Sequence, residues 1–304
     1  MLKLITRANV NDSWWDNVVA NCLNGNVCIY TWYLDIVCSR NWWAIIDEDR
    51  EIIMPLPIRE KLGVTYVYQP KFIQQLGVFS SQPLTQEIVQ ECIDYIPKQV
   101  KWVHYNLNST NVIQDQNQIQ EYQTNVVLKL EGEMEQIRNN YRMNTKRNVR
   151  KAFSHTLTID TEFDANQTIQ LFQKNRGAEL AVFGDGDYGL LKKILDKANE
   201  KGILKSWGVR VKDNLAAGAL FIESHGRYVF LFSGQNDVGR ANQALTYLID
   251  QFIEQHLNSN KILDFEGSSN ADLARYYKGF GGVEEKYITC KINRLPWYLS
   301  FLKK

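Results

Sequence analysis

Three strand-like runs in close succession constrain the fold of this chain most strongly. They are apolar or aromatic, short turns separate them, and they cover residues 204–212, 215–224 and 227–234. Asp213-Asn214 between the first two is suited to a tight hairpin. An amphipathic helix over 241–256 and a short strand over 262–265 follow. Antiparallel strands, a helix and one further strand predict an α+β unit with a mixed sheet.

The first 131 residues form a second pattern of this kind. Helices are predicted over 14–23 and 87–96, and strands over 42–46, 52–57, 65–68, 101–105 and 125–130. A chain of 304 residues is longer than one hydrophobic core usually serves. We therefore expect two domains, residues 1–132 and 133–304, separated at Gly132.

The composition narrows the class of protein. Hydrophobic residues at 44% and charged residues at 23% exclude a disordered, collagen-like or coiled-coil chain. No apolar run approaches the ~20 residues of a membrane span, and the N-terminus lacks a signal-peptide pattern, so a cytoplasmic protein without membrane insertion is expected. The five cysteines lack CxxC spacing and the four histidines are isolated. These features predict buried free thiols and no metal site.

A basic helix is predicted at the start of the second domain, over residues 134–153. Six cations lie within it, four of them at every fourth position: Arg138, Arg142, Lys146, Arg147, Arg150 and Lys151. No acidic residue lies between Gln136 and Ile159, although the charges of the whole chain nearly balance, with 35 Lys and Arg against 34 Asp and Glu. This stripe is either a solvated face or a contact surface for phosphates of tRNA or of a nucleotide-linked precursor. Its binding candidates are Arg142, Lys146, Arg147 and Arg150.

A strand, a glycine-containing turn and a helix follow one another around residue 236. Helix N-termini carry unpaired N–H groups and attract anions, so this turn is a candidate pyrophosphate site. Its candidate residues are Asn236, Gly239, Arg240 and Ala241. The alternative is an ordinary strand–turn–helix junction without a ligand.

A second motif follows about 30 residues later, and its key positions are Asn270, Tyr277 and Gly281. Together the two motifs resemble those of the GNAT acyltransferase superfamily, although Asn236 stands where that family usually has Arg or Gln. The resemblance implies a site for acetyl-CoA or another acyl-CoA, with Asn270 among the binding residues. It also implies that Tyr277 protonates the leaving group.

A broader resemblance covers nearly the whole chain. Residues 141–152, residues 216–220 and the run Asp264-Phe-Glu-Gly-Ser are similar to FemAB-like transferases. That family places two GNAT-like folds in tandem, and its best-known members move an amino acid from aminoacyl-tRNA onto peptidoglycan precursors. The resemblance implies an N-acyltransferase or aminoacyltransferase that uses either donor and acts on a small-molecule or peptide amine. The rival hypothesis is a catalytically silent binding module for a small ligand or cell-wall precursor.

Several polar residues have two possible roles. Glu266 alternates with Asp264 along a short strand and is a candidate general base, or it caps the following helix. Tyr277 is either catalytic or a core residue. Asp185 and Asp187 bind an acceptor amine or form a solvated turn. The loop over residues 66–77, dense in aromatics and amides, lines a ligand or packs on the second domain.

Overall fold

The computed structural model describes residues 1–177, 183–267 and 270–297. Contacts among them divide the chain into two units. The first unit is Met1–Gln123 together with the chain from Lys286 onward, and the second is Thr124–Glu285. The sequence placed the division at Gly132 and assigned the last strand to the second domain. In the structure the chain instead enters the second unit within one strand and leaves it within another.

Strands and helices alternate along both units, as the hydrophobic periodicity predicts. The strands are Lys3–Thr6 (β1), Trp42–Asp47 (β2), Ile52–Lys61 (β3), Val64–Val67 (β4), Phe79–Ser80 (β5), Val100–Asn106 (β6), Ile119–Lys129 (β7), Leu157–Asp160 (β8), Leu204–Val211 (β9), Asn214–Ser224 (β10), Arg227–Gln235 (β11), Ile262–Asp264 (β12) and Val283–Asn293 (β13). The α-helices are Asp12–Asn21 (α1), Thr31–Val37 (α2), Gln86–Asp94 (α3), Met134–Asn140 (α4), Met143–Phe153 (α5), Ala165–Phe172 (α6), Asp185–Glu200 (α7), Asp237–Ala241 (α8), Ala244–Gln255 (α9) and Ala271–Lys278 (α10).

The sheet of the first unit has the order β1-β2-β3-β4-β6, and residues 289–293 of β13 pair with β6. Only β4 and β6 among these neighbours run parallel. Its core contains Trp15, Tyr33 and Trp42, all fully buried. All five cysteines of the chain are buried free thiols, which confirms the prediction made from their spacing.

The sheet of the second unit has the order β7-β12-β11-β10-β9-β8, so the three strand-like runs do form adjacent antiparallel strands. β11 and β12 are its parallel pair. Gly208, Gly218 and Gly234 lie in register across β9, β10 and β11. A Cβ at Gly234 would lie 2.6 Å from the backbone oxygen of Thr168 in α6, and one at Gly218 would overlap the Thr168 hydroxyl. The glycine row therefore lets α6 pack directly on the strands.

The predicted basic helix over 134–153 is wrong in one respect, because the structure breaks it into α4 and α5. Tyr141 has an extended backbone, with ψ of 141°, and its ring packs edge-on against Phe280 at 5.4 Å. The backbone N–H of Arg142 donates to the carbonyl oxygen of Gly279, at 2.9 Å. These tertiary contacts end α4 and begin α5, so the basic stripe is not continuous.

Another predicted helix also differs from the structure, and one helix ends irregularly. α6 ends at Phe172 and continues as a π-helical turn, Gln173–Gly177. The helix expected over 241–256 begins only at Ala244, because Gln243 has a left-handed backbone with φ of 58° and separates it from α8. No helix in the described ranges is long and apolar enough to cross a membrane.

Arg138 supplies a test of this packing. Its guanidinium binds the fully buried carboxylate of Asp250, with Nη2 at 2.6 Å from Oδ2. Arg138→Ala leaves that carboxylate buried without its cation, so we expect a loss of about 3 kcal/mol in the free energy of unfolding. Arg150→Ala, on the exposed face of α5, is the control and should change it by less than about 0.5 kcal/mol. Urea denaturation measures both, and equal small losses would contradict the structural role of Arg138.

Candidate active site

The candidate site of the second unit begins where two parallel strands separate. β11 and β12 pair from Arg227 and Ile262 up to Val229 and Asp264, and there the register ends. β11 continues to Gln235, whereas the chain after β12 turns away and the N–H of Phe265 donates to the oxygen of Val126 at 3.0 Å. The strand ends thus leave an opening in the sheet. Open α/β sheets bind ligands at such places.

Glu266 lies just beyond the end of β12. Its backbone is left-handed, with φ of 23°, and its N–H donates to Oδ1 of Asp264 at 3.2 Å. The prediction that Asp264 and Glu266 alternate along one strand is therefore wrong, since the strand ends at Asp264. Burial raises the pKa of Glu266 to about 8, and the neighbouring Asp264 carboxylate adds to the shift. A carboxyl group of this pKa can exchange a proton near neutral pH.

Asn270 caps the helix that follows Glu266. Its side-chain oxygen accepts hydrogen bonds from the backbone N–H groups of Asp272, at 2.9 Å, and Leu273, at 3.2 Å. The alternative assignment of Glu266 as the cap of this helix is therefore wrong. Asn270, predicted to bind a cofactor, has a structural role at the start of α10.

Tyr277 belongs to α10, and its ring stacks on Phe265 with centroids 4.6 Å apart. Phe230 contacts the same ring edge-on at 5.8 Å. Burial raises the pKa of Tyr277, so the phenol is neutral at physiological pH and can act only as a proton donor. The Tyr277 hydroxyl forms no hydrogen bond within the described parts of the chain. Phe265 thus connects the two predicted catalytic residues, because its ring contacts Tyr277 and it precedes Glu266 in the chain.

The turn predicted to hold a pyrophosphate is engaged by the protein itself. The Asn236 side chain accepts the N–H of Gly239 at 2.8 Å and donates to the oxygen of Leu215 at 2.8 Å. A Cβ at Gly239 would overlap the carbonyl oxygen of Ala216, so this glycine is required by packing against β10. The guanidinium of Arg240 pairs with Asp237.

These contacts do not fit the binding of a coenzyme A pyrophosphate at this turn. The helix that follows, α8, has only 5 residues and ends at the exposed Ala241. Its first turn carries the carboxylate of Asp237, which would repel a phosphate. The N–H of Gly239, one of the groups a phosphate would need, is already donated to Asn236.

The N-terminal end of the basic helix α5 lies beside the candidate catalytic segment. Arg142, where α5 begins, donates its N–H to Gly279, two residues after Tyr277. Arg142, Arg147 and Arg150 are exposed and form no ion pair within the described residues, whereas Lys146 is partly buried and donates to the oxygen of Asn139 at 2.8 Å. The helix packs through its opposite side, where Thr145, Val149 and Ala152 are buried.

Comparison with known proteins supports the fold. No protein-family model matches the chain, and no curated protein matches it in sequence. The crystal structure of FemX is similar over 99% of this chain and 100% of FemX, with a TM-score of 0.68 and 11% identity. The structure of L-PGS from Bacillus licheniformis has a TM-score of 0.53 at 7% identity, covering 96% of this chain and 93% of L-PGS. A tandem GNAT protein from the clavulanic acid biosynthesis pathway, solved without AcCoA, has a TM-score of 0.51 at 10% identity, covering 97% and 99%.

The chain has the tandem GNAT-like fold of FemX. This confirms the predicted fold class and the resemblance to GNAT and FemAB-like transferases.

Some residues of the candidate site were not predicted from the sequence. Asn125, Arg227 and Glu285 lie on three different strands, β7, β11 and β13, and contact Asp264 directly or through one another. No local pattern marks any of them. Phe265 lies within the Asp-Phe-Glu-Gly run, and its position between two acidic residues could have indicated a place in the site.

Other sequence candidates have local structural roles. Asp185 and Asp187 lie in the first turn of α7, and Asp187 accepts the N–H of Gly184 at 2.8 Å. In the loop over 66–77, Gln69 accepts the N–H of Asn106 at 2.9 Å and donates to the oxygen of Ile73 at 2.7 Å. Hydrogen bonds within the first unit therefore account for part of the amide content of this loop.

A cavity of about 360 Å³ lies elsewhere in the second unit, around the start of α6. Three carboxylates, Glu162, Asp164 and Asp196, are among the residues that line it. None of the predicted site residues lines this cavity. Among the residues that the structure describes, no group of His, Cys, Asp and Glu side chains is arranged to hold a metal ion.

A substitution at Gly239 tests the interpretation that packing against β10 requires a glycine in this turn. We expect Gly239→Ala to cost about 2 kcal/mol in the free energy of unfolding because its Cβ would overlap the Ala216 oxygen. Gly186→Ala is the control, since a Cβ there has nothing within 4 Å in the first turn of α7. Chemical denaturation measures both variants. If Gly239→Ala is as stable as the control, the close approach is not a constraint and the turn remains open to a ligand.

Proposed function

We propose that the chain transfers an acyl or aminoacyl group to an amine-bearing acceptor, with Glu266 as general base and Tyr277 as general acid. One arrangement of residues supports the proposal most directly. Glu266, whose carboxyl group has a pKa of about 8, follows Phe265 in the chain, and the ring of Phe265 stacks on the buried phenol of Tyr277. The tandem GNAT-like fold supports the same reaction class. A fold alone does not determine a reaction, so the proposed reaction depends on the side chains of Glu266 and Tyr277.

The two groups match the proton transfers of the reaction. An amine acceptor is mostly protonated at neutral pH and must lose a proton before its nitrogen attacks the carbonyl carbon. Deprotonated Glu266 accepts that proton. The tetrahedral intermediate then expels the leaving oxygen or sulfur, and Tyr277 donates the proton that this atom requires. After the product leaves, Glu266 releases its proton to solvent and Tyr277 regains a proton from solvent, so both groups return to their starting states.

An aminoacyl-tRNA is the donor that the surface of the second unit favours. Arg142, Arg147 and Arg150 are exposed on α5, and α5 begins beside the segment that carries Tyr277. Cations in such a row can contact successive phosphates of a nucleic acid. At the turn around Asn236, by contrast, the N–H of Gly239 is donated to the Asn236 side chain, and the carboxylate of Asp237 would repel the pyrophosphate of an acyl-CoA.

A catalytically silent binding module is the second candidate. The engaged turn at Asn236 favours it, since a GNAT-like fold that has lost its donor site can remain as a recognition platform. It differs from the transferase in one measurable respect. A binding module retains affinity for its ligand but shows no turnover with any donor.

The donor proposal predicts salt-dependent tRNA binding. Affinity for bulk aminoacyl-tRNA, measured by fluorescence anisotropy, should fall steeply with salt, and Arg147→Ala/Arg150→Ala should reduce the slope of log K against log salt by about 1 to 2. Lys192→Ala/Lys193→Ala, which removes two exposed cations from α7, is the matched control and should leave the slope unchanged. Binding that is absent or independent of salt would contradict the tRNA donor and direct the search to acyl-CoA.

The catalytic proposal predicts a defined pH profile. Glu266 acts only when deprotonated, so the single-turnover rate should rise with pH and level off above about 8. Glu266→Gln and Tyr277→Phe should each reduce the rate by about 10² to 10⁴ while donor binding is unchanged. Tyr276→Phe, which removes the hydroxyl bound to Thr246, is the matched control. Wild-type rates in both site variants would refute the assignment of the two residues.

A further inference from the structure

A buried polar network surrounds the carboxylate of Asp264, next to the proposed base. Oδ2 accepts a hydrogen bond from Nη1 of Arg227 at 2.9 Å. Oδ1 accepts from Nδ2 of Asn125 at 2.8 Å and from the N–H of Glu266 at 3.2 Å. Arg227 also binds Glu285, with Nη2 at 3.1 Å from Oε1. The carboxylate of Asp264 is therefore held by two neighbouring strands, β7 and β11, and by the backbone of its own segment.

The network determines the backbone at Glu266. Glu266 and Gly267 are both left-handed, with φ of 23° and 65°, a conformation that a glutamate rarely adopts. The hydrogen bond from the Glu266 N–H to Asp264 stabilises that conformation. Asp264 itself cannot rotate without losing its bonds to Asn125 and Arg227. The direction in which the chain leaves β12 thus depends on Asp264.

The charges of the network are unbalanced. Asp264, Glu266 and Glu285 supply three carboxyl groups, and Arg227 is the guanidinium bound to two of them, Asp264 and Glu285. Asp264 is the charged group that acts on Glu266 directly. Arg227 on β11 contacts Asp264 and Glu285 on β13, and the phenol of Tyr277 on α10 stacks on Phe265, the residue before Glu266. Because Arg227 is shared between two carboxylates, the negative charge of Asp264 is only partly compensated at Glu266.

We infer that Asp264 is a positioning residue for the proposed base: its carboxylate, held by Asn125 and Arg227, binds the backbone N–H of Glu266 and places a negative charge beside that residue. Arg227 and Glu285 adjust that charge, since Glu285 draws part of the guanidinium away from Asp264. This inference rests on the proposed function, in which Glu266 is the base. It assigns a purpose to a buried ion-pair network that the acid–base chemistry does not itself require.

Titration of Glu266 itself tests the inference without any substrate. Carbon-13 NMR of protein labelled at the glutamate side-chain carboxyl carbon follows each glutamate with pH, and Glu266→Gln identifies the Glu266 signal. We expect a wild-type midpoint near 8, which Asp264→Asn lowers by about one unit by removing the neighbouring charge. Glu285→Gln should lower it as well, by less, because Arg227 then compensates Asp264 alone.

Glu284→Gln is the matched control for this titration. Glu284 is the next residue on β13, its carboxylate pairs with Lys278, and its substitution should leave the midpoint unchanged. If Asp264→Asn does not fold, Glu285→Gln still tests the inference, because the side chain of Glu285 is 26% exposed. A wild-type midpoint near 8 that neither variant moves would overturn the inference. A wild-type midpoint below 6 would instead contradict Glu266 as a base, so the two failures are distinguishable.

Discussion

The second unit depends on a carboxylate at the end of a three-residue strand. β12 stops pairing with β11 at Asp264, and a buried carboxylate at that position needs a cation and hydrogen-bond donors to offset its desolvation. Arg227 and Asn125 supply them from the two neighbouring strands. Their bonds hold the chain as it leaves the sheet, and Glu266 and Phe265 are placed next to α10 as a result. Breaking this network would move the site as well as destabilise the strand.

Close packing of backbones is the second constraint, and it changes the interpretation of the glycines. Gly218 and Gly234 let α6 lie on the sheet, and Gly239 lets α8 approach β10. Gly239 also belongs to the motif that resembles a phosphate-binding turn. A glycine that steric contact alone requires can stay in such a motif when no phosphate is bound, so its presence is weak support for coenzyme A. The side chain of Asn236, which donates to Leu215 and accepts from Gly239, points to the same conclusion.

The electrostatics of the basic segment divide into two parts. Arg138, on α4, neutralises the buried Asp250 and also pairs with Glu254, so its charge serves the core. Arg142, Arg147 and Arg150 are exposed on or at the start of α5. The break between the two helices separates these roles. It also places Arg142 beside Gly279, close to Tyr277, which explains why a surface for an anionic ligand would adjoin the proposed catalytic residues.

The amino-acid sequence by itself determined the succession of strands and helices and the mixed α+β character, because hydrophobic periodicity and turn residues act locally. The tandem GNAT-like fold was indicated by the resemblance of its motifs to a known family. The sequence also predicted Tyr277, through a motif of fixed spacing, and Glu266, from its place two residues after Asp264 at a short strand. Only the tertiary structure decided where the helix over 134–153 breaks, since Tyr141 and Arg142 are held by Phe280 and Gly279 far along the chain. The network of Asn125, Arg227 and Glu285 around Asp264 likewise follows from strand pairing between distant segments, and the environment that raises the pKa of Glu266 exists only after those segments pack together.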